Sequence, residues 1–238
     1  MIYAEILAGG KGSRMGKTDM PKQFLNIGNK PIVIHTIERF LLNHKIDKVI
    51  VVTPKEWIAH TEDIISKHIL KVYLDNIIIC PGGNDRNESI MSGISYIESN
   101  FGIKDDDIII THDAVRPFLT HRIIEENIEM AIAYGATDTV IPATDTIVES
   151  VNGDTISNIP IRANMYQGQT PQTFNIRKLK KLYNCLNKEE KKFLTDAAKI
   201  FVVKNEKVKL VIGDVANIKI TTQYDLKVAN IMVGDSIS

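Results

Sequence analysis

The chain has 238 residues, 44% of them hydrophobic and 24% charged, which suits one large α/β domain or two small ones in an ordinary globular protein. Lysine plus arginine equals aspartate plus glutamate at 29 each, so bulk charge does not attract nucleic acid and any anion site must be local. No apolar run approaches about 18 residues and no signal-peptide pattern is visible, so a cytoplasmic protein with neither nucleic-acid nor membrane partner is expected.

In chain order, Ile2 to Leu7 reads as a first strand, followed by the loop Leu7-Ala8-Gly9-Gly10-Lys11-Gly12-Ser13-Arg14-Met15-Gly16 and then Pro21-Lys22-Gln23. Closely spaced glycines let a backbone bend tightly, and successive N–H groups in such a bend form an anion-binding concavity. Arg14 adds a planar fork of positive charge and Lys22 a mobile point charge, so the loop suits a polyphosphate. The pattern G-x-x-x-x-G-K-[ST] fails because Lys11 stands where its first glycine belongs. The dinucleotide pattern G-x-G-x-x-G fails at Met15, and the second strand ends Val52-Thr53-Pro54 without the acidic residue expected there.

Pro31 opens a helix to about Asn43, Lys48 to Thr53 is a buried strand, and Pro54 opens a helix to about His68. Asn76 to Cys80 is a third strand, emptying into Pro81-Gly82-Gly83 and a helix to about Ser99. Ile108 to His112 is a fourth, ending at Asp113-Ala114-Val115-Arg116-Pro117, with a helix from His121 to Tyr134 and a fifth strand from Thr137 to Pro142. This alternation predicts a Rossmann-like, mostly parallel twisted sheet flanked by helices. Thr144 to Glu149 and Thr155 to Ile159 then alternate around Asn152-Gly153, a hairpin signal. An isolated hairpin is marginal in water, so residues at about 143–168 are expected to form a protruding arm that packs against a second copy, a decorated loop being the alternative. Met165 to Phe174, helices near Arg177 and from Asp196, short strands at Lys207 to Ile212 and Ile218 to Thr221, and a helix from about Thr222 complete one domain over 1–238.

Ligands of open α/β sheets bind beyond the carboxyl ends of the parallel strands. That edge collects the first loop, Gly82 to Ser89, and Asp113. A carboxylate fixed at a strand end and facing a polyphosphate suits Mg²⁺, which takes one or two carboxylates plus phosphate oxygens; a turn cap is the plainer reading of Asp113. Gly82, Gly83 and Ser89 suit close backbone approach and a hydroxyl contact to a nucleobase edge, although Ser89 could equally be an ordinary first-turn residue. Arg162 and Thr170 could grip a second phosphorylated substrate, with a solvated arginine as the alternative. Lys219, between Ile218 and Ile220, could approach phosphates or serve as an edge-strand gatekeeper. His112 reads as structural. Cys80 and Cys185 lack C-x-x-C partners and read as reduced thiols.

Taken in series, Leu7-Ala8-Gly9-Gly10-x-Gly12-x-Arg14-Met15-Gly16…Pro21-Lys22-Gln23, Gly82-Gly83-x-x-Arg86-x-x-Ser89, His112-Asp113-Ala114-Val115-Arg116-Pro117, Gln169-Thr170-Pro171-Gln172-x-Phe174, Thr195-Asp196 and Asn217-Ile218-Lys219-Ile220-Thr221 resemble the sugar-alcohol-phosphate cytidylyltransferases. The resemblance implies transfer of CMP from CTP to a polyol phosphate with release of pyrophosphate, dependent on Mg²⁺. It implies Arg14, Lys22 and Lys219 as catalytic residues. Leu7, Ala8, Gly9, Gly10, Gly12, Gly82, Gly83, Ser89 and Asp113 become the nucleotide-binding set, with Asp113 also the metal ligand. Arg116, Arg162, Thr170, Thr195 and Asp196 fall on the acceptor side, with Arg162 delivered by the partner's arm in a homodimer. Ala8-Gly9-Gly10, Val115, Phe118 and Met165-Tyr166-Gln167-Gly168 resemble the branch acting on D-ribitol 5-phosphate, which supplies teichoic-acid or capsule polymers, more than the branch acting on 2-C-methyl-D-erythritol 4-phosphate in isoprenoid synthesis. An NAD(P)-dependent oxidoreductase is the reading from another class, and the missing acidic residue near Thr53 speaks against it. A non-catalytic nucleotide-binding module is opposed by the joint presence of Arg14, Lys22, Asp113 and Lys219.

Overall fold

The computed structural model describes residues 1–10, 15 and 20–234. Four parallel strands form one half of a seven-stranded sheet: β1 (Ile2–Leu7), β4 (Lys48–Thr53), β5 (Ile77–Pro81) and β6 (Ile108–Asp113). The other half contains β7 (Ala136–Pro142), β8 (Tyr166–Asn175) and β9 (Lys209–Ile212). The spatial order is β5-β4-β1-β6-β8-β7-β9. Only β8 runs against the rest, paired antiparallel to β6 and to β7. A two-stranded ribbon, β2 (Asn26–Ile27) with β3 (Lys30–Pro31), stands apart from the sheet.

The apolar residues of the strands alternate between two cores. Ala4, Ile6, Val49, Val51, Ile108 and Ile110 face one side, against α1 (Ile32–Leu41), α2 (Ile58–His68) and α5 (His121–Tyr134). Tyr3, Ile50, Val52 and Ile109 face the other, against α4 (Arg86–Phe101), α6 (Ile176–Asn184) and α8 (Ala198–Val203). Both faces being covered explains why the parallel strands read as continuous apolar runs. The closing helix α9 (Gln223–Gly234) seats Ala229 on a third cluster with Ile27, Ile32, Val115 and Ile220. A single turn, α3 (Lys71–Leu74), and the short α7 (Lys188–Lys192) complete the helices; the sequence pattern foretold neither. Among the described residues no helix is long and apolar enough to cross a membrane.

Three expectations need correction. The alternating segments of the arm make no ladder; a single bridge, Glu149 to Asn158, joins them, because their apolar residues have no core of their own chain to face. The arm also ends sooner than expected, since Tyr166, Gln167 and Gly168 already pair with β7. Ile218 to Thr221 is not a strand: Ile220 makes one backbone bond to another segment, N–H to the Val115 carbonyl at 2.9 Å, and no ladder follows.

Candidate active site

Strands β1 and β6 are neighbours with Leu7 opposite Asp113, yet the chain leaves β1 for β4 on one side and reaches β6 on the other. Such a reversal opens a crevice beyond the carboxyl ends of the strands. A cavity of about 410 Å³ lies there, walled by Gly9 and Gly10 after β1, Gly82 to Arg86 and Ser89 after β5, Asp113 to Val115 after β6, and Lys22 and Lys219.

Asp113 is its electrostatic centre. The carboxylate pairs with the Arg86 guanidinium, lies 2.8 Å from Lys219 Nζ and 3.7 Å from Arg116 Nε, and is 6% exposed. Burial alone would raise the Asp113 carboxyl, but Arg86, Lys219 and Arg116 outweigh it and hold it well below the usual carboxylate range. The carboxylate is therefore held ionised, with cations on several sides.

The glycine pair after β5 is there for close approach. A Cβ on Gly83 would come within 2.4 Å of Glu88 Cβ, and one on Gly82 within 2.9 Å of Ser89 Oγ. The Ser89 hydroxyl accepts from Gly83 N–H at 3.1 Å and donates to the Asp85 carbonyl at 2.7 Å, while Asp85 caps α4 by accepting from Glu88 N–H at 2.8 Å. Ser89 thus ties the turn to the helix, and the first turn of α4 presents its amide end to the cavity, favourable for an anion.

Two side chains that follow the first loop reach back to other segments. Gln23 Nε2 donates to the Ala8 carbonyl at 2.5 Å, and Lys22 Nζ donates to the Ile220 carbonyl at 3.1 Å. The Lys219 segment is further held by bonds to other elements, among them Ile220 N–H to the Val115 carbonyl, Arg116 Nη1 to the Asn217 carbonyl at 2.7 Å, and Asn217 Nδ2 to the Thr170 carbonyl at 2.8 Å.

Of the residues singled out in the sequence, Leu7, Gly9, Gly10, Lys22, Gly82, Gly83, Ser89, Asp113 and Lys219 line the cavity. Ala8 is buried beneath it. Arg116 and Thr170 stand behind Asp113, and the Thr170 hydroxyl accepts from Asp113 N–H at 3.2 Å. Arg162 is exposed on the arm and donates to the Thr144 carbonyl at 3.1 Å. Asp196 accepts from Lys199 N–H at the start of α8, and neither it nor Thr195 reaches the cavity. Gly12 and Arg14 lie outside the described residues. Arg86 was missed as a site residue; an arginine that opens a helix directly after a glycine turn was the available signal.

Comparisons with known proteins give the family. A family model described as IspD, 2-C-methyl-D-erythritol 4-phosphate cytidylyltransferase, matches residues 2–235. The crystal structure of 4-diphosphocytidyl-2C-methyl-D-erythritol synthase from Anaerococcus prevotii is similar with a TM-score of 0.78 and 26% identity, over 98% of this chain and 96% of that one. The 2-C-methyl-D-erythritol 4-phosphate cytidylyltransferase of Francisella tularensis has a TM-score of 0.78 and 27% identity, over 97% of this chain and 98% of that one. The Thermus thermophilus enzyme, at 22% identity and a TM-score of 0.72, shares the fold over 98% of this chain and all 100% of its own. These descriptions carry the methylerythritol name and not the ribitol name towards which Ala8-Gly9-Gly10 and Met165 to Gly168 pointed, so the ribitol expectation finds no support in them. With the motifs in order, the cavity at the switch point and a match along nearly its whole length, the chain belongs to the 2-C-methyl-D-erythritol 4-phosphate cytidylyltransferase family and is a CTP-dependent cytidylyltransferase.

Proposed function

We propose that the enzyme transfers CMP from CTP to 2-C-methyl-D-erythritol 4-phosphate. The observation that carries the transfer site is the pairing of Asp113 with Lys219 at 2.8 Å, in the cavity that also holds Lys22 and the Gly82-Gly83 turn. The acceptor is supported by the family match and by relatives at 26% and 27% identity. An oxygen of the acceptor phosphate attacks the α-phosphorus of CTP in line, the new P–O bond forms as the bond to the bridging oxygen breaks, and pyrophosphate leaves. The nucleophile is already anionic near neutral pH, so no general base is needed, and catalysis rests on positioning and on charge stabilisation.

In this reading Lys22, with Arg14, holds the leaving β- and γ-phosphates, and Lys219 meets the reacting α-phosphate. Leu7, Ala8, Gly9, Gly10, Gly82 and Gly83 frame the nucleoside. Among the described residues no cluster of three or more His, Cys, Asp or Glu is placed to cage a metal. A single buried carboxylate beside a phosphate cavity nevertheless fits Mg²⁺, which keeps waters and substrate phosphates as its other ligands. Asp113 would hold it, and Mg²⁺ would supply charge neutralisation on the phosphates. The exposed apolar side chains of the arm, Val148, Val151, Ile156, Ile159 and Ile161, suit burial against a second copy, which would bring Arg162 towards the acceptor phosphate.

D-Ribitol 5-phosphate is the second reading, favoured by Gly9 and by Met165-Tyr166-Gln167-Gly168. One assay decides. Purified enzyme with CTP and Mg²⁺ is given each acceptor separately and pyrophosphate release is measured. Turnover with the methylerythritol phosphate and none with the ribitol phosphate is expected; the reverse result would replace the acceptor while leaving the cytidylyltransfer intact.

A further inference from the structure

His112 is fully buried directly before Asp113, with its ring centre 5.3 Å from that of Phe40 and the two rings inclined at 64°. Its Nε2 lies 3.0 Å from the Arg116 carbonyl, which can only accept, so Nε2 carries a proton. Its Nδ1 lies 3.0 Å from the Thr170 hydroxyl. With the ring neutral, Nδ1 is an acceptor and the Thr170 O–H must donate to it. The Thr170 oxygen then faces Asp113 N–H, 3.2 Å away, as an acceptor. One ring therefore joins three separate pieces of the site: the residue before Asp113, the end of the Asp113–Arg116 turn, and β8.

We propose that His112 is a positioning residue for CMP transfer: its imidazole clasps the Asp113–Arg116 turn to Thr170 and so sets the spacing between the Asp113 carboxylate and the acceptor side of the cavity. The proposal rests on the reading of Asp113 as part of the transfer site. A turn that carries a carboxylate paired with Lys219 cannot shift without moving Lys219 as well. Misplacement of reacting groups by about 1 Å costs on the order of 100-fold in rate. The effect should fall on turnover and acceptor use more than on CTP binding, because the Gly82-Gly83 turn is tied to Ser89 within its own loop.

Three replacements separate the two bonds. Phe keeps the ring and removes both; Asn places an amide near Nδ1; Gln places one near Nε2. His112→Phe should lose about 10- to 100-fold in kcat, raise the acceptor KM and leave the CTP KM within about twofold, the smaller change expected of groups that His112 does not hold. His112→Asn and His112→Gln should each recover part of that loss. His112→Phe combined with Thr170→Val should lose less than the product of the two single losses, since both variants break the His112–Thr170 bond while each also breaks one of its own. Phe40→Leu, which removes packing beside the ring and no hydrogen bond, should lower the melting temperature while keeping kcat. Wild-type kcat in His112→Phe, fully additive losses with Thr170→Val, or an equal kcat loss in Phe40→Leu would each overturn the positioning role. Near-normal turnover in Asp113→Asn would instead overturn the site reading beneath it.

Discussion

Glu5 shows how a single residue can depart from a pattern and still belong to the fold. It lies in the central strand β1, fully buried, on the face that packs against α4, and its neighbours in register are Ile50 and Thr111. Neither carboxyl oxygen has a hydrogen-bond partner among the described residues. Room for the side chain comes from Gly93, where a Cβ would approach Glu5 Oε1 to 1.9 Å. Burial pushes the carboxyl well above the usual range, against the pull of Arg86, so the buried group is the neutral acid. Between its ordinary value and this raised one the folded state binds the proton that the unfolded state has lost. Stability therefore falls as pH rises through that window. Glu5→Gln keeps the shape and removes the proton, so the variant should gain on the wild type as pH increases from 4 to 8. Melting temperatures across that range check it, and a difference independent of pH would contradict the neutral acid. The sequence signalled none of this, because a polar residue inside an apolar strand does not reveal the helix glycine that accommodates it. Asp113 and Lys219 were legible, each sitting beside an apolar segment whose direction fixes it. Arg86 was not, since its partner is 27 residues away in the chain and belongs to a different strand end.

At the scale of elements, the parallel strands were readable because both of their faces are covered, and their parallel direction followed from the alternation with helices; their spatial order did not. The place of β8 was not readable. A strand's composition does not name its neighbours, and β8 enters between β6 and β7 against their direction, through pairings such as Ile108 with Asn175 that join residues distant in the chain. The arm was legible as an arm, from its turn and its lack of apolar mass, but not as an element with one bridge in place of a ladder. Its backbone bonds to itself are few. Glu149 N–H donates to the Asn158 carbonyl at 2.8 Å, and Ser157 and Asn158 N–H return to the Glu149 carbonyl. Meanwhile Val151 is 87% exposed and Ile161 71% exposed. Apolar side chains held out on so slight a scaffold are expected to be covered by a second copy. Replacing residues 147–160 with a short glycine linker should shift the protein from dimer to monomer in sedimentation velocity. The same change should raise the acceptor KM, with the CTP KM little altered. A deletion protein that remains dimeric would remove the arm from the interface.

For the whole molecule, the consequence lies in how far apart in the chain the walls of the cavity come from. Lys22 bonds to the Ile220 carbonyl across 198 residues, and Arg116 to the Asn217 carbonyl across 101. Ile220 at the same time belongs to the cluster that seats α9 on the β2–β3 ribbon. The two sheet faces meet here too: Ala8 belongs to the core under α1 and α5, while Leu7 packs with the core under α4. A ligand in this cavity touches segments drawn from both ends of the chain, so its binding is expected to be coupled to global unfolding and not to the loosening of one loop. Net charge is zero, so the attraction for CTP is expected to come from cations at the cavity such as Lys22, Arg86 and Lys219, not from the protein as a whole. A ligand that binds the folded state alone stabilises it by about 2.7 kcal/mol at 100 times its Kd. For a domain of this size each kcal/mol raises the melting temperature by about 2–4 °C. CTP with Mg²⁺ at that excess should therefore raise it by roughly 5–11 °C as a single transition. Half that shift or less, or an early separate transition that CTP alone abolishes, would mean that the cavity closes over nucleotide locally and that the distant segments do not hold it together.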